Sequence, residues 1–465
     1  MQLGRLQSTA LLVALATVTL SAQTYIWTGI GTGWQEQLTP SNDGTADLYI
    51  RSGLREVITL PGNYSINSLV FAGETKFYIQ RSSTGAPNPL VITIDGGISS
   101  VNQLDSSLGS SRFDLAADID VNVAAPQTFD INRNTLVLRG HLTGASDITL
   151  RATQDGEGNG TFIFNDSGMG NSGFSGNMVL DLASTSTTVA FWNGSPFGTG
   201  TVSVVNGGAL TAHGTQIITN SLTLNTGGST TNLALRSWDA PLTFSGATTL
   251  ANNVTLQPLL SPAFVEYADG TGVLAQPGAS TRQPIIFTGA IGESGGARKL
   301  TIAGQGLVIL NPTTASSYTG GTFVGTSAAG SVVFGNNNAF PATGTVSVAQ
   351  TNSYAGIGDL SAGNFAAMLN AHFDKTTAGA IGVDTLPGNA TVTFSEAINL
   401  SSTGTGALNF TNSSLRLGTA TSAILTGALT PQGTNYLFGN GGGSLYVQSS
   451  LGDTAGNGVT ASRNV

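Results

Sequence analysis

The chain has 465 residues, 63 of them glycine, with 40% hydrophobic and only 9% charged residues and a formal net charge of −9. The hydrophobic share supplies a core and argues against wholesale disorder, while so few charges set the chain apart from ordinary globular enzymes, where about a quarter of residues are charged. Basic runs and cysteine are both absent, which makes nucleic acid and anionic membranes poor partners and excludes disulfides, thiol catalysis and cysteine metal sites.

Residues 1–22 read as a signal peptide. Arg5 supplies a positive start, "ALLVALATVTL" (Ala10–Leu20) an apolar run, and "SAQ" (Ser21–Gln23) small residues for cleavage. No later stretch approaches about 18 consecutive apolar residues, so no transmembrane helix is expected in the mature chain. Residues 23–82 carry Trp27 and Trp34 and lack the module described below. They are assigned as an N-terminal capping segment, which a stacked architecture needs to shield its core and open strand edge. Residues 83–465 are assigned as the repeat region. Short strand signals recur along the chain, among them "ADLYI" (Ala46–Ile50), "LVITIDG" (Leu90–Gly96), "DIDVNV" (Asp118–Val123), "SLTLN" (Ser221–Asn225) and "SLYVQ" (Ser444–Gln448). Polar and apolar residues alternate in many of them, which turns one face inward and the other outward. Gly, Asn, Asp, Ser and Thr fill the gaps and supply turn chemistry. "NFAAMLNAHF" (Asn364–Phe373) departs from this pattern: Phe365, Leu369 and Phe373 stand four apart, as on one helical face.

The hexapeptide TGTVSV occurs twice, at Thr199–Val204 and Thr343–Val348. "FSGN" (Phe174–Asn177) precedes the first copy and "YTGG" (Tyr318–Gly321) precedes the second, at the same distance. An apolar pulse lies between in each case, "VAFWNG" (Val189–Gly194) or "VVFGNN" (Val332–Asn337). A module has been reused, which points to a repeat architecture. A sandwich or barrel also has short strands but does not account for a module recurring over so much of the chain. Stacked coils do, because no coil buries its apolar face alone. With coils about 4.8 Å apart, the mature chain would form a rod ~90 Å long.

"YTGGTFV", "GNNNAFPATGTVSV" and "FTGAIGESGGARKLTIAGQGLVIL" (Phe287–Leu310) resemble the autotransporter-associated β-strand repeat, also called the passenger-associated transport repeat. "TYIWTG…PGNYSINSLVFAG" (Thr24–Gly73) is similar to the leading segment of such proteins, and Leu415–Val447 to their later coils. The likeness spans about two-thirds of the chain. It implies a right-handed parallel β-helix, consistent with the all-β fold class expected from the strands, and export to the cell surface or beyond; modular repetition, few charges, no chemical motif and the export signal point to a structural or adhesive role. Family members that translocate themselves end in an outer-membrane β-barrel. The last residues, "GDTAGNGVTASRNV", lack its alternating lipid-facing strands. Either the barrel is missing from this chain, or export takes another route, or the sequence is a fragment.

No residue is assigned as catalytic, cofactor-binding or metal-binding. The three histidines, His141, His213 and His372, lack metal-site spacing such as HExxH and read as surface or coil-edge residues. Asp118 and Asp120 stand two apart on one strand face. They could bind Ca²⁺ or share acid and base roles on a sugar chain, and otherwise form an outward polar face. His372, Asp374 and Lys375 cluster at the end of the expected helix, where Lys375 suits the C-terminal dipole. "GNGGGSLYV" (Gly439–Val447) has Ser444 where a calcium-binding repeat would place aspartate. Trp192 and Trp238 are candidates for stacking on a sugar ring, or for partial burial at a coil corner. Asn336–Asn338 are expected to stack at a turn. The expected partner is cell-surface or extracellular polysaccharide. The competing readings are a carbohydrate-binding module and a β-helical polysaccharide lyase or glycosidase.

Overall fold

Alternation in the sequence becomes alternation in burial. In the strand Leu90–Ser100, Leu90, Ile92 and Ile94 are fully buried while Val91 and Thr93 between them are partly exposed. The same inward-outward pattern recurs in Ala46–Ile50, Ile148–Arg151, Met178–Asp181 and Val254–Pro258. Inward residues of successive coils meet in one continuous core. In the computed structural model the described residues run from 23 to 451, apart from segments 28–39, 51–55, 73–76, 83–87, 101–111, 153–159, 165–169, 183–186, 227–231, 267–272 and 387–390 and a few isolated positions. The signal segment 1–22, Trp34 and the terminal 452–465 lie outside them.

The protein is an all-β parallel solenoid. Three long sheets, of 13, 12 and 8 strands among the described residues, run along it. The first extends from Gln23–Trp27 to Ile291–Glu293, the second from Glu56–Leu60 to Val346–Val348, and the third from Gln216–Ile218 to Arg416–Gly418. The described strands within 23–82 are stacked as the first coils of the first and second sheets, with Gln23–Trp27 and Glu56–Leu60 as their edge strands.

The number of sheets visited per turn changes along the chain. From Ile148 to Ala212 the strands alternate between the first and second sheets. From Gln216 the third sheet joins, as in the turn Leu222–Leu224, Leu233–Ser237, Leu242–Phe244. After Ile291–Glu293 the first sheet ends, and the chain alternates between the second and third as far as Tyr354–Ile357; beyond it, strands of the third sheet are interspersed with a three-stranded sheet (Val392–Phe394, Ser422–Leu425, Ser444–Val447) and a two-stranded one (Ile398–Asn399, Leu429–Thr430).

This change explains where the two TGTVSV copies sit. Val202–Val204 belongs to the first sheet and Val346–Val348 to the second. Within each module the geometry is the same. Val202 and Val204 stack on Met178 and Leu180, while Val346 and Val348 stack on Thr322 and Val324. The Met178 N–H donates to the Thr201 carbonyl at 2.8 Å, and the Thr322 N–H to the Thr345 carbonyl at 3.0 Å. All four valines point inward, at 0–1% exposure. The module is thus reused whole, advanced by one sheet after the three-strand turns.

Two insertions interrupt the stacking. Ser261–Glu266 pairs antiparallel with Val273–Thr281. The sequence between these strands carries a hairpin signal, Asp269-Gly270. The helix α1, Asn364–His372, follows the strand Tyr354–Ile357 and buries Phe365, Met368 and Leu369. It starts and ends close to the expected bounds, and Phe373 is its C-cap, not its last turn. The Leu369 carbonyl accepts from the Phe373 N–H at 3.3 Å and also from Lys375 Nζ at 2.8 Å, which places a cation at the negative end of the helix. Among the described residues no helix is long and apolar enough to cross a membrane.

Aromatic residues fill the core in stacks. Phe71 and Phe113 lie face to face with centroids 4.2 Å apart, and Phe77 stands 5.7 Å from Phe113. Phe244–Phe287 at 4.9 Å and Phe334–Phe340 at 4.4 Å repeat the arrangement further along.

Candidate functional site

Most of the described side chains singled out by sequence have a definite partner. Asp118 lies in the turn before the strand Ile119–Val123 and pairs with Arg81 at 3.1 Å. Asp120, 7% exposed, accepts from the His141 backbone N–H at 2.8 Å and sits 3.0 Å from His141 Nδ1. The two aspartates are therefore held by different groups. At the end of α1, the His372 ring stacks on Phe340 at 4.1 Å, and burial lowers its pKa. Asp374 accepts from the Thr376 N–H and hydroxyl, closing its own turn. Lys375 caps the helix and lies 4.8 Å over the Phe410 ring. These three are neighbours in sequence with separate structural tasks. Ser444 opens an exposed edge strand, Ser444–Val447. Asn336 Nδ2 donates to Asn311 Oδ1 of the preceding coil at 2.7 Å, and its own Oδ1 caps a short turn at Asn337–Ala339; of the three asparagines this one alone pairs with an asparagine of another coil among the described residues, while Asn338 Nδ2 donates to the Thr313 carbonyl.

Trp192, His213 and Trp238 follow directly on three strands of the second sheet, Thr188–Phe191, Gly208–Ala212 and Leu233–Ser237. The Trp192 and His213 rings stack at 3.9 Å, and Trp238 meets His213 edge-on at 4.2 Å. Trp192 also packs on Val137, Ile163 and Ala190, which occupy outward positions of that sheet. All three rings are half-buried, and they form a ladder along one corner.

Of a second cluster, sequence singled out Asp118 alone. On the outer face of the second sheet, Thr59 stands in register with Gln80, and Tyr78 with Val57 on one side and Asp114 on the other. Arg112 Nε lies 3.0 Å from both Asp114 oxygens, Arg139 approaches Asp114 at 3.8 Å, and the Arg81–Asp118 pair closes the corner. Burial is the main cause of the raised Tyr78 pKa; Arg139 opposes it, and Asp114 and Asp118 add to it. An open groove of about 660 Å³ is lined here by Thr59, Tyr78, Gln80, Arg81, Ser82 and Asp118, with Ala116 and Ala117. Its sequence signals are Asp118, one of the two aspartates singled out above, and the presence of Arg81, Arg112 and Arg139 in a chain with 16 Lys and Arg residues.

A third group is internal. The Asp384 carboxylate is fully buried and accepts from the Tyr354 hydroxyl at 2.5 Å, the Thr419 and Thr421 hydroxyls at 3.0 Å, and the Ala420 and Thr421 N–H groups at 2.7 and 3.0 Å. Burial pushes its pKa up while these donors pull it down. Gly356, Gly382 and Gly418 stack in register beside it, and a Cβ on Gly356 would overlap the Asp384 carboxylate and the Tyr354 phenol. This arrangement is a structural clasp.

Fold and surface together define a parallel β-solenoid protein with an aromatic ladder and a polar groove on its second sheet. Compared with protein-family profiles, curated proteins and solved structures, the chain has no match in any of the three.

Proposed function

We propose that the chain is an exported, passenger-type β-solenoid with a structural or adhesive role at the cell surface or beyond it, in contact with polysaccharide. The observation that carries this reading is the reuse of one module, with the same internal register, along a rod with a continuous core. Such a design extends a surface without concentrating reactive groups. The signal-like residues 1–22 and the resemblance of "YTGGTFV" and its neighbours to autotransporter-associated repeats support the export half of the proposal. A fold alone does not select a function. The chemistry weighs against an enzyme: hydrolysis of a sugar chain needs two carboxylates set at a working separation, and Asp118 and Asp120 are each engaged elsewhere.

A carbohydrate-binding role without catalysis is the second reading, favoured by the half-buried Trp192–His213–Trp238 ladder. A polysaccharide panel assayed with the purified mature chain, with and without Ca²⁺, separates the readings. No turnover is expected. Turnover abolished by Asp118→Asn or His372→Ala would overturn the proposal in favour of an enzyme. Binding without turnover, lost in Trp192→Ala, would support the second reading.

A further inference from the structure

We infer that the groove on the first coils of the second sheet binds a uronate-bearing glycan. This inference rests on the surface-contact reading and names the place and chemistry of that contact. The groove's volume, about 660 Å³, falls in the range of small-molecule sites, ~300–1,000 Å³. That is room for a short stretch of sugar chain.

Its lining has the mixed character that a pyranose requires. The Tyr78 ring, with Val57 beside it in register, offers an apolar surface to the C–H face of a sugar. Gln80, Thr59 and Ser82 offer amide and hydroxyl groups to the ring hydroxyls. Arg81 presents a planar guanidinium at the groove wall, the geometry that matches a carboxylate with two parallel hydrogen bonds.

Charge selects the ligand class. The chain as a whole carries −9, yet this face gathers Arg81, Arg112 and Arg139 against Asp114 and Asp118. Asp114 is engaged with Arg112 and Arg139, and it is 7% exposed. The Arg81–Asp118 pair is the more accessible one, with side chains 24% and 34% exposed. A partly exposed ion pair is held less firmly than a buried one, so a ligand carboxylate can take the place of Asp118 on Arg81. The Asp118 side chain is then a competitor built into the site.

That competition gives a test with opposite signs. Oligogalacturonate and a neutral glucan oligosaccharide would be titrated calorimetrically into the purified full chain. Oligogalacturonate should bind, and the neutral glucan at least about tenfold more weakly. Arg81→Gln should weaken oligogalacturonate binding by about tenfold or more, and Gln80→Ala by a few-fold. Asp118→Asn should tighten it, because the competing carboxylate is gone. A mere loss of folding cannot produce that gain. Binding should also fall as salt rises. Absence of binding, equal binding of the neutral glucan, or weaker binding in Asp118→Asn would each overturn the inference. Adhesion of intact cells that persisted in Arg81→Gln would overturn this groove as the contact while leaving the surface role standing.

Discussion

Asp384→Ala is expected to lower stability by about 3–5 kcal/mol, because several buried donors lose their shared acceptor. Five donors converge on this carboxylate from Tyr354, Thr419, Ala420 and Thr421. The truncation takes this acceptor from all five; the Thr421 N–H keeps the Thr419 hydroxyl at 3.3 Å, and each buried group left unsatisfied costs about 1–3 kcal/mol before relaxation. Tyr354→Phe removes a single donor and keeps the ring, so its cost should be smaller, about 1–2 kcal/mol. The strands Tyr354–Ile357, Ala380–Val383 and Arg416–Gly418 are adjacent in the third sheet. Amide exchange should therefore accelerate there first. Urea unfolding combined with amide exchange checks this. A change under about 1 kcal/mol, or a loss of protection spread evenly along the rod, would contradict the clasp.

Phe113→Ala should cost about 3–5 kcal/mol, the usual loss for a large aromatic cut from a core. Phe113 is fully buried, stacks on Phe71 and contacts Phe77 from the neighbouring coil. In a solenoid each coil touches only its neighbours, so stability is close to a sum of nearest-neighbour terms. The damage should be local. Exchange protection should fall in Tyr64–Phe71, Phe77–Arg81 and Thr135–Leu138 while Ser331–Phe334 and Tyr354–Ile357 keep theirs. Loss of protection along the whole rod at one midpoint would mean that the coils unfold as one unit.

Both predictions concern features with very different legibility in the sequence. The solenoid could be read because inward residues alternate within each strand and because TGTVSV recurs with its flanks intact. The helix could be read because Phe365 and Leu369 follow the helical period, and both are buried. The switch between two and three sheets per turn could not, since it depends on which coil each strand lands on, and a strand's own pattern is the same in every sheet. The inward valines of the two TGTVSV copies illustrate this: identical residues, identical burial, different sheets. Candidate groups fared similarly. Neighbours in sequence, such as His372, Asp374 and Lys375, diverge to Phe340, Thr376 and Leu369. The groups that converge are a coil apart: Trp192 with His213 and Trp238, Arg81 with Asp118, Tyr354 with Asp384. Stacking brings together residues separated by a coil length, and that length varies too much here for spacing alone to reveal them.

The central proposal is export of a rod that works by surface contact, and accessibility on intact cells tests it most directly. The turn at Gly406 is suited to an epitope: residues 402–406 are exposed, and a Cβ on Gly406 would meet no atom within 4 Å. An epitope inserted there, in the organism that encodes the chain, should be detected by antibody on unpermeabilised cells or in the culture fluid. The recovered protein should begin near Gln23. Detection only after lysis, with residues 1–22 still attached, would contradict the proposal.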